Sequence, residues 1–355
     1  MLKANIQFEN KTVLITGVAG FIGSNLAKKI LTSYSNTQVI GLDNLNDYYD
    51  VQLKKNRLSV LKSNKKFKFL KVDISNKKAV SRLFKKYNPD IVVNLAAQAG
   101  VRYSIINPDV YIQSNVIGFY NILEACRCSY KTARPVQHLI YASSSSVYGL
   151  NKKTPYSVSD FVDNPVSLYA ATKKSNELFA HSYSKLYDIP STGLRFFTVY
   201  GPAGRPDMAY FSFTNTLVKN EKIQLFNYGN CKRDFTYVDD IVEGIIKVMQ
   251  RIPHKNENGI PYKIYNIGNN KSEKLLDFVN VLKEELIEAD ILPKEFDLDS
   301  HIELLPMQPG DVELTYADVS DLEKDFAFKP STSLRTGLRF FAQWYKEYYK
   351  IHLQR

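Results

Sequence analysis

Short apolar runs, largely β-branched, recur through the first 200 residues, and the stretches between them return to apolar positions at helical spacing. The first pattern suits strands buried on both faces, the second suits helices laid against them. Residues 12–16 read as such a strand, closed at once by Gly17, and residues 24–31 then take up helical spacing. A second strand over 38–42 ends at Asp43, and a third over 68–72 ends at Asp73-Ile74. Between them the chain is polar and rich in Tyr and Lys, which predicts a loop and a helix. Residues 80–86 are helical until Asn88-Pro89 stops them, and 90–95 form a fourth strand opening into Ala96-Ala97-Gln98-Ala99-Gly100. A long helix over 109–127 encloses Asn115. The fifth strand, 137–142, runs into Ser143, Ser144, Ser145 and Ser146.

Strands alternating with helices predict right-handed crossovers and a parallel sheet covered on both faces, an α/β doubly wound fold. From about Gly201 the rhythm breaks into proline-punctuated loops and short, irregularly alternating elements. The expected division is a cofactor-binding domain over 1–200 with a return at 236–268. The remainder, 201–235 and 269–355, would form a smaller C-terminal α/β substrate-binding domain.

The turn after the first strand carries the first chemical signal. Gly17, Gly20 and Gly23 follow at three-residue steps between strand and helix. Gly17 allows the turn, Gly20 lets backbone approach a pyrophosphate, and Gly23 lets helix and strand pack closely; the pyrophosphate would sit at the helix N-terminus. The spacing is G-x-x-G-x-x-G and not G-x-G-x-x-G, so the triplet alone is a weak sign of a dinucleotide site. Asp43, twenty positions after Gly23, adds to it. An acid there can hold ribose hydroxyls and repels a 2′-phosphate, which favours NAD over NADP; the bland alternative is a helix cap or loop residue. Asp73-Ile74 is placed to meet the adenine.

Composition changes the picture little. The 355 residues are 44% hydrophobic and 23% charged, ordinary for a globular chain. No apolar run is long enough to span a membrane and no secretory signal is evident. Three cysteines, unevenly placed, suit neither a disulfide framework nor a metal site, and a cytoplasmic setting is expected. The formal charge of +11 does not point to nucleic acid. The lysines are scattered apart from Lys62, Lys65, Lys66 and Lys68, which read as a solvated loop.

Tyr169 and Lys173 stand four apart on a segment that stays helical through Ser182, so both leave one face. A neighbouring ammonium favours the tyrosinate, which predicts that the phenol serves as a base near neutral pH. With 24 tyrosines the pair alone could arise by chance. It gains weight from the glycine turn, the acid after strand two and the serines ending strand five, where a substrate hydroxyl could be held between serine and tyrosine.

Taken together, these segments resemble the extended short-chain dehydrogenase/reductases, and within them the NAD-dependent nucleotide-sugar 4-epimerases. The resemblance covers nearly the whole chain. It rests on 17–23, Asp43-Asn44, Leu95-Ala96-Ala97, 143–149, 169–173, 194–201, 233–241 and Tyr265-Asn266-Ile267-Gly268. It implies a catalytic set of Ser144, Tyr169 and Lys173, with Ser143 or Ser145 open as alternatives by register. It places Gly17, Gly20, Phe21, Ile22, Gly23, Asp43, Asn44, Asp73, Ile74, Leu95, Ala96, Ala97, Asn115, Tyr169, Lys173 and Phe196 at the cofactor.

Three further segments resemble the UDP-glucuronate 4-epimerases more than the UDP-galactose type: 97–104, 201–209 and 306–312. A hexuronate brings a carboxylate, for which a planar guanidinium with hydroxyl neighbours is suited, and Arg102 beside Ser104, and Arg205, are the candidates. The alternative for each arginine is a surface charge or a loop-holding ion pair. Ser144, Ser145, Ser146, Tyr169 and Thr198 would face the sugar, while Arg233, Gln308 and Asp311 would anchor the uridine diphosphate. The implied reaction is oxidation at C4 by bound NAD, turning of the 4-keto sugar, and return of the hydride to its other face. Serines stand where the related 4,6-dehydratases carry an Asp-Glu pair, and the sugar-lining loops speak against the uronate decarboxylases. A small Thr315 leaves UDP-N-acetylglucosamine, and with it UDP-glucose, as competing substrates. A non-catalytic nucleotide sensor is the rival from another class. The resemblance also implies a homodimer, through helices 109–127 and 169–186.

Overall fold

The computed structural model describes residues 6–308 and 310–351. Seven parallel strands make the central sheet: β1 (Thr12–Thr16), β2 (Gln38–Asp43), β3 (Phe67–Lys71), β4 (Ile91–Asn94), β5 (His138–Ser144), β6 (Ser191–Phe196) and β10 (Tyr262–Ile267). Their spatial order is β10-β6-β5-β4-β1-β2-β3. The chain winds outward from β1 to β3, then crosses back to lay β4 on the other side of β1. That reversal opens a crevice at the carboxyl ends of β1 and β4, where doubly wound sheets hold their ligands.

Alternate residues of each strand feed two cores. Val13 and Ile15 of β1 and Ile91 and Val93 of β4 point into the larger cluster. Leu14 and Val92 point into the smaller one on the opposite face. Both faces are therefore covered, which is why these strands read as continuous apolar runs.

Beyond β6, strand β7 (Thr198–Tyr200) pairs in parallel with β9 (Lys232–Tyr237), and β11 (Ser272–Lys274) joins β9 antiparallel. Strand β8 (Ile223–Phe226) pairs with β12 (Ile302–Leu305). These two small sheets carry the loops that face the crevice across from the central sheet.

The structure moves several expected boundaries. The helix α3 (Lys77–Tyr87) begins before residue 80, because Asn76 caps it by accepting from the Ala79 N–H at 3.0 Å while Lys77 and Lys78 leave no apolar trace. It follows α1 (Phe21–Ser33) and α2 (Val51–Lys62). Strand β3 starts one residue earlier than expected, at buried Phe67. Strand β5 takes in Ser143 and Ser144, whose backbone stays extended. The helix expected over 109–127 is interrupted by a π turn, Ile112–Ile117, before α4 (Gly118–Ser129). The helix carrying Tyr169, α5 (Leu168–Tyr187), runs past Ser182 until Asp188 turns left-handed at φ 55°. Lys62, Lys65, Lys66 and Lys68 are all exposed.

Candidate active site

The glycine turn forms one wall of a cleft at the sheet switch point. Gly17 has φ +69°, and a Cβ there would stand 2.8 Å from the Ala96 nitrogen on the neighbouring strand end. A Cβ on Gly23 would lie 2.3 Å from the Gly17 carbonyl oxygen, so helix α1 can begin against the turn only without a side chain there. Gly20, Phe21, Ile22 and Gly23 line this cleft, with Asp43 and Asn44 at the end of β2, Asp73 and Ile74 after β3, and Leu95, Ala96 and Ala97 after β4. Phe196, Tyr169 and Lys173 close it.

The acids at the far end are anchored by backbone. Asp43 accepts from the N–H groups of Ala19, at 3.1 Å, and Leu45, at 2.9 Å. Burial pushes its carboxyl up, an effect those N–H groups and Lys54 oppose. Asn44 donates to Asp73 at 2.9 Å, tying the ends of β2 and β3 together. Cβ-free backbone at a helix N-terminus, two polar strand ends and an apolar floor fit a dinucleotide.

Asn115 is a correction. It is buried outside the cleft, accepting from the Gln98 N–H at 2.8 Å and donating to the Gln98 carbonyl and the Thr172 hydroxyl, both at 3.0 Å. The widened π turn presents it inward, so it staples the strand-four loop to α5, and its neighbour Ser114 lines the cleft instead.

Ser167 caps helix α5 by accepting from the Ala170 N–H at 3.1 Å, and one face of the helix carries Tyr169, Lys173 and Glu177. Glu177 binds Arg195 of β6 through both carboxylate oxygens, at 2.8 and 2.9 Å, and accepts the Ser143 hydroxyl at 2.6 Å. Ser143 is thereby spent on this buried pair. Ser144, next along β5, emerges beside Tyr169 where the first cleft meets a second one, its hydroxyl donating to the Ser146 hydroxyl at 3.1 Å. Lys173 donates to the Ala142 carbonyl at 3.0 Å.

The expected lowering of the Tyr169 pKa by Lys173 is not what the protein alone provides. Burial raises the phenol above its ordinary value, and only Ser144 and Arg205 oppose that. Lys173 is itself pushed down to about 8 by burial, and its ammonium donates to the Ala142 carbonyl and not to the phenol.

The second cleft encloses about 900 Å³ between the central sheet and the small ones. Ser145, Ser146, Thr198, Arg102, Arg205, Arg233, Gln308, Asp311 and Thr315 all line it, though they come from six separate stretches of chain. Arg102 binds Asp311 at 2.8 Å and lies 4.4 Å from the Phe226 ring centre. Arg205 reaches both clefts and pairs with Asp207, which also accepts the Tyr48 hydroxyl at 3.1 Å. Burial works against the charge on Arg205, yet Asp207 holds it fully protonated. Arg233 donates to the carbonyls of Lys232 and Glu313, both at 3.0 Å. Ser104 is a second correction: it is buried in the helical turn Tyr103–Ile106 and donates to the Val101 carbonyl at 2.6 Å, away from the cleft.

Sequence reasoning missed Tyr48, Lys54, Tyr103, Asp207 and Phe226. The first two lay in the polar stretch after Asp43, and the density of Tyr there was the available signal.

A parallel sheet with a glycine turn at its switch point, and Tyr and Lys one helical turn apart facing it, define a short-chain dehydrogenase/reductase. A family model described as GDP-mannose 4,6 dehydratase matches residues 14–340. The Staphylococcus aureus protein CapI is 51% identical, over 95% of this chain and 99% of CapI. UDP-glucuronate 4-epimerase 2 of Arabidopsis thaliana is 42% identical, over 96% of this chain and 76% of its own. The solved UDP-glucuronic acid 4-epimerase of Bacillus cereus, in complex with UDP-glucuronic acid and NAD, superposes with a TM-score of 0.83 at 32% identity, covering 95% of this chain and all of that one. The chain belongs to the NAD-dependent nucleotide-sugar epimerase and dehydratase family of extended short-chain dehydrogenase/reductases.

Proposed function

We propose that this protein is an isomerase, an NAD-dependent 4-epimerase that interconverts UDP-glucuronate and UDP-galacturonate. The observation that carries the reading is that Ser144 and Tyr169 stand together at the junction of two clefts, with Arg205 reaching into both. The first cleft takes NAD and the second takes the UDP-sugar; the substrate named for the Arabidopsis and Bacillus cereus relatives carries the carboxylate that Arg205 can grip. Bound NAD supplies the hydride acceptor and, when oxidised, a cationic ring that favours the phenolate.

In this scheme Tyr169 takes the proton of the sugar 4-hydroxyl and returns one after the sugar has turned. Ser144 donates to the oxygen at C4, both as alcohol and as ketone. Lys173, fixed on the Ala142 carbonyl, holds the nicotinamide ribose. Arg233, Gln308 and Asp311 anchor the diphosphate and uridine, so that binding energy remote from C4 retains the sugar while it turns. Arg205 exchanges Asp207 for the sugar carboxylate. Ser145 and Ser146 offer no acid for dehydration.

The domain division at about residue 200, with 236–268 returning, belongs to this reading. So does a homodimer formed through α4 and α5, whose outer faces expose Tyr120, Leu178, Leu186 and Tyr187. No described helix is long and apolar enough to cross a membrane, and all three cysteines are free, which suits a cytoplasmic enzyme. A second reading has one observation in its favour. Thr315 is small and turned toward the Asp234 N–H at 3.1 Å, which leaves room beside the sugar for an N-acetyl group.

NMR of the purified protein with UDP-glucuronate, UDP-glucose and UDP-N-acetylglucosamine in separate tubes tests the reading. Conversion of the glucuronate to its C4 epimer is expected, without added cofactor. Turnover of the N-acetyl sugar alone would remove the carboxylate role of Arg205. No turnover in any tube with NAD added would favour the sensor.

A further inference from the structure

Arg57 lies on α2, within the stretch that the sequence left as a polar loop and helix, yet it is only 4% exposed. Its guanidinium makes no ion pair with a carboxylate among the described residues. Instead Nη1 donates to the Ala19 carbonyl at 2.9 Å and the Tyr49 hydroxyl at 2.6 Å, Nε to the Ala203 carbonyl at 2.9 Å, and Nη2 to the Gly204 carbonyl at 2.7 Å. A buried cation is tolerated when its donors are all directed, and a rigid fork whose donors sit on three separate nitrogens can span carbonyls on two loops, which an ammonium, with its donors on one nitrogen, is not shaped to do.

The carbonyls it chooses lie on the two sides of the site. Ala19 is inside the glycine turn of the cofactor cleft. Ala203 and Gly204 immediately precede Arg205, which faces the sugar. That loop has little freedom of its own shape: Ala203 sits in the left-handed region at φ 55°, and a Cβ on Gly204 would stand 1.6 Å from the Tyr210 hydroxyl. Its conformation is imposed from outside, and Arg57 binds two successive carbonyls of it.

We infer that Arg57 is a positioning residue for uronate recognition: it fixes the Arg205 loop to the cofactor turn, so that Arg205 meets the sugar carboxylate without having to be ordered by it. This rests on the UDP-glucuronate reading, which it deepens. The role is in specificity and not in anchoring the nucleotide, because none of the residues assigned to the diphosphate or uridine touches Arg57.

Calorimetric binding of UDP, UDP-glucose and UDP-glucuronate to NAD-loaded wild type, Arg57→Met and Arg57→Lys tests it. Wild type is expected to prefer UDP-glucuronate over UDP-glucose. Both variants should lose that preference by about tenfold while binding UDP within about twofold of wild type, an outcome that general loosening of the fold would not produce. A folded Arg57→Lys that keeps the wild-type preference overturns the inference. Loss of soluble protein in both variants would make Arg57 a residue of the fold alone and overturn it too. If wild type itself shows no preference, the carboxylate reading of Arg205 is what fails.

Discussion

The glycine turn, acid and adenine ends of the cofactor cleft come from β1 to β4, whose ends follow one another along the chain, each one crossover after the last, and β5, α5 and β6 close it. The sugar cleft takes its walls from stretches around 102, 145, 205 and 308–315 and from the strands β7 and β9 at 198 and 233, brought together by two small sheets. The first is held by backbone geometry, such as Gly17 against Ala96, and tolerates no added atom. The second is held by side-chain pairs, Arg102 with Asp311 and Arg205 with Asp207, which can exchange partners. A rigid cleft suits a cofactor retained from turnover to turnover, and exchangeable ion pairs suit a ligand that must enter, turn and leave.

The largest effect should come where the two clefts meet. Tyr169→Phe removes the proton acceptor, and turnover should fall by about 10³-fold, while NAD content of the purified protein stays at the wild-type level. Loss of NAD together with activity would mean that the phenol holds the cofactor rather than the sugar.

Gly23→Ala probes the rigid cleft. Its Cβ would lie 2.3 Å from the Gly17 carbonyl, so the turn must open. The protein should purify without NAD and lose about 2 kcal/mol of stability, as overpacking typically does, read from denaturant unfolding. Retained NAD would show the turn to be more yielding than its geometry indicates.

Lys173→Met separates function from stability. The Lys173 pKa is lowered from 10.5 to about 8 by burial. In the unfolded chain the amine keeps its proton up to the higher value, so burying the ammonium costs stability at all pH below 8, and the cost fades as pH rises from 8 to 10.5. Cofactor-free Lys173→Met should therefore be more stable than wild type at pH 7, by on the order of 3 kcal/mol before loss of the bond to Ala142, and inactive. Thermal unfolding across that pH range should show the gap closing.

Arg102→Ala probes the exchangeable cleft and should change stability least, by under about 0.5 kcal/mol, because the pair with Asp311 is partly exposed. The KM for the UDP-sugar should rise about tenfold with kcat little changed. A fall in kcat alone would place Arg102 nearer the reacting carbon.

The same contrast explains what could be read in advance. The five leading strands, the glycine turn, Asp43 and the Tyr169–Lys173 spacing depend on order along the chain, and apolar runs and glycine steps record that order directly. The functional resemblance carried the remote pieces, Arg205, Arg233 and Asp311, into one site without any pattern linking them. Ser104 and Asn115 were misjudged because a hydroxyl or amide looks the same in sequence whether it faces a ligand or a nearby carbonyl. Among the four serines the resemblance favours Ser144 with its neighbours left open, and packing then separates Ser143, held by Glu177, from Ser144, which emerges into the junction of the clefts. Periodicity fixed which segments become strand and helix, since burial on two faces or one leaves a local signature. Direction of side chains, and hence the phenol raised by burial, the lysine turned to a carbonyl and Arg57 bridging two loops, follow from contacts between residues far apart in the chain, which no local pattern encodes.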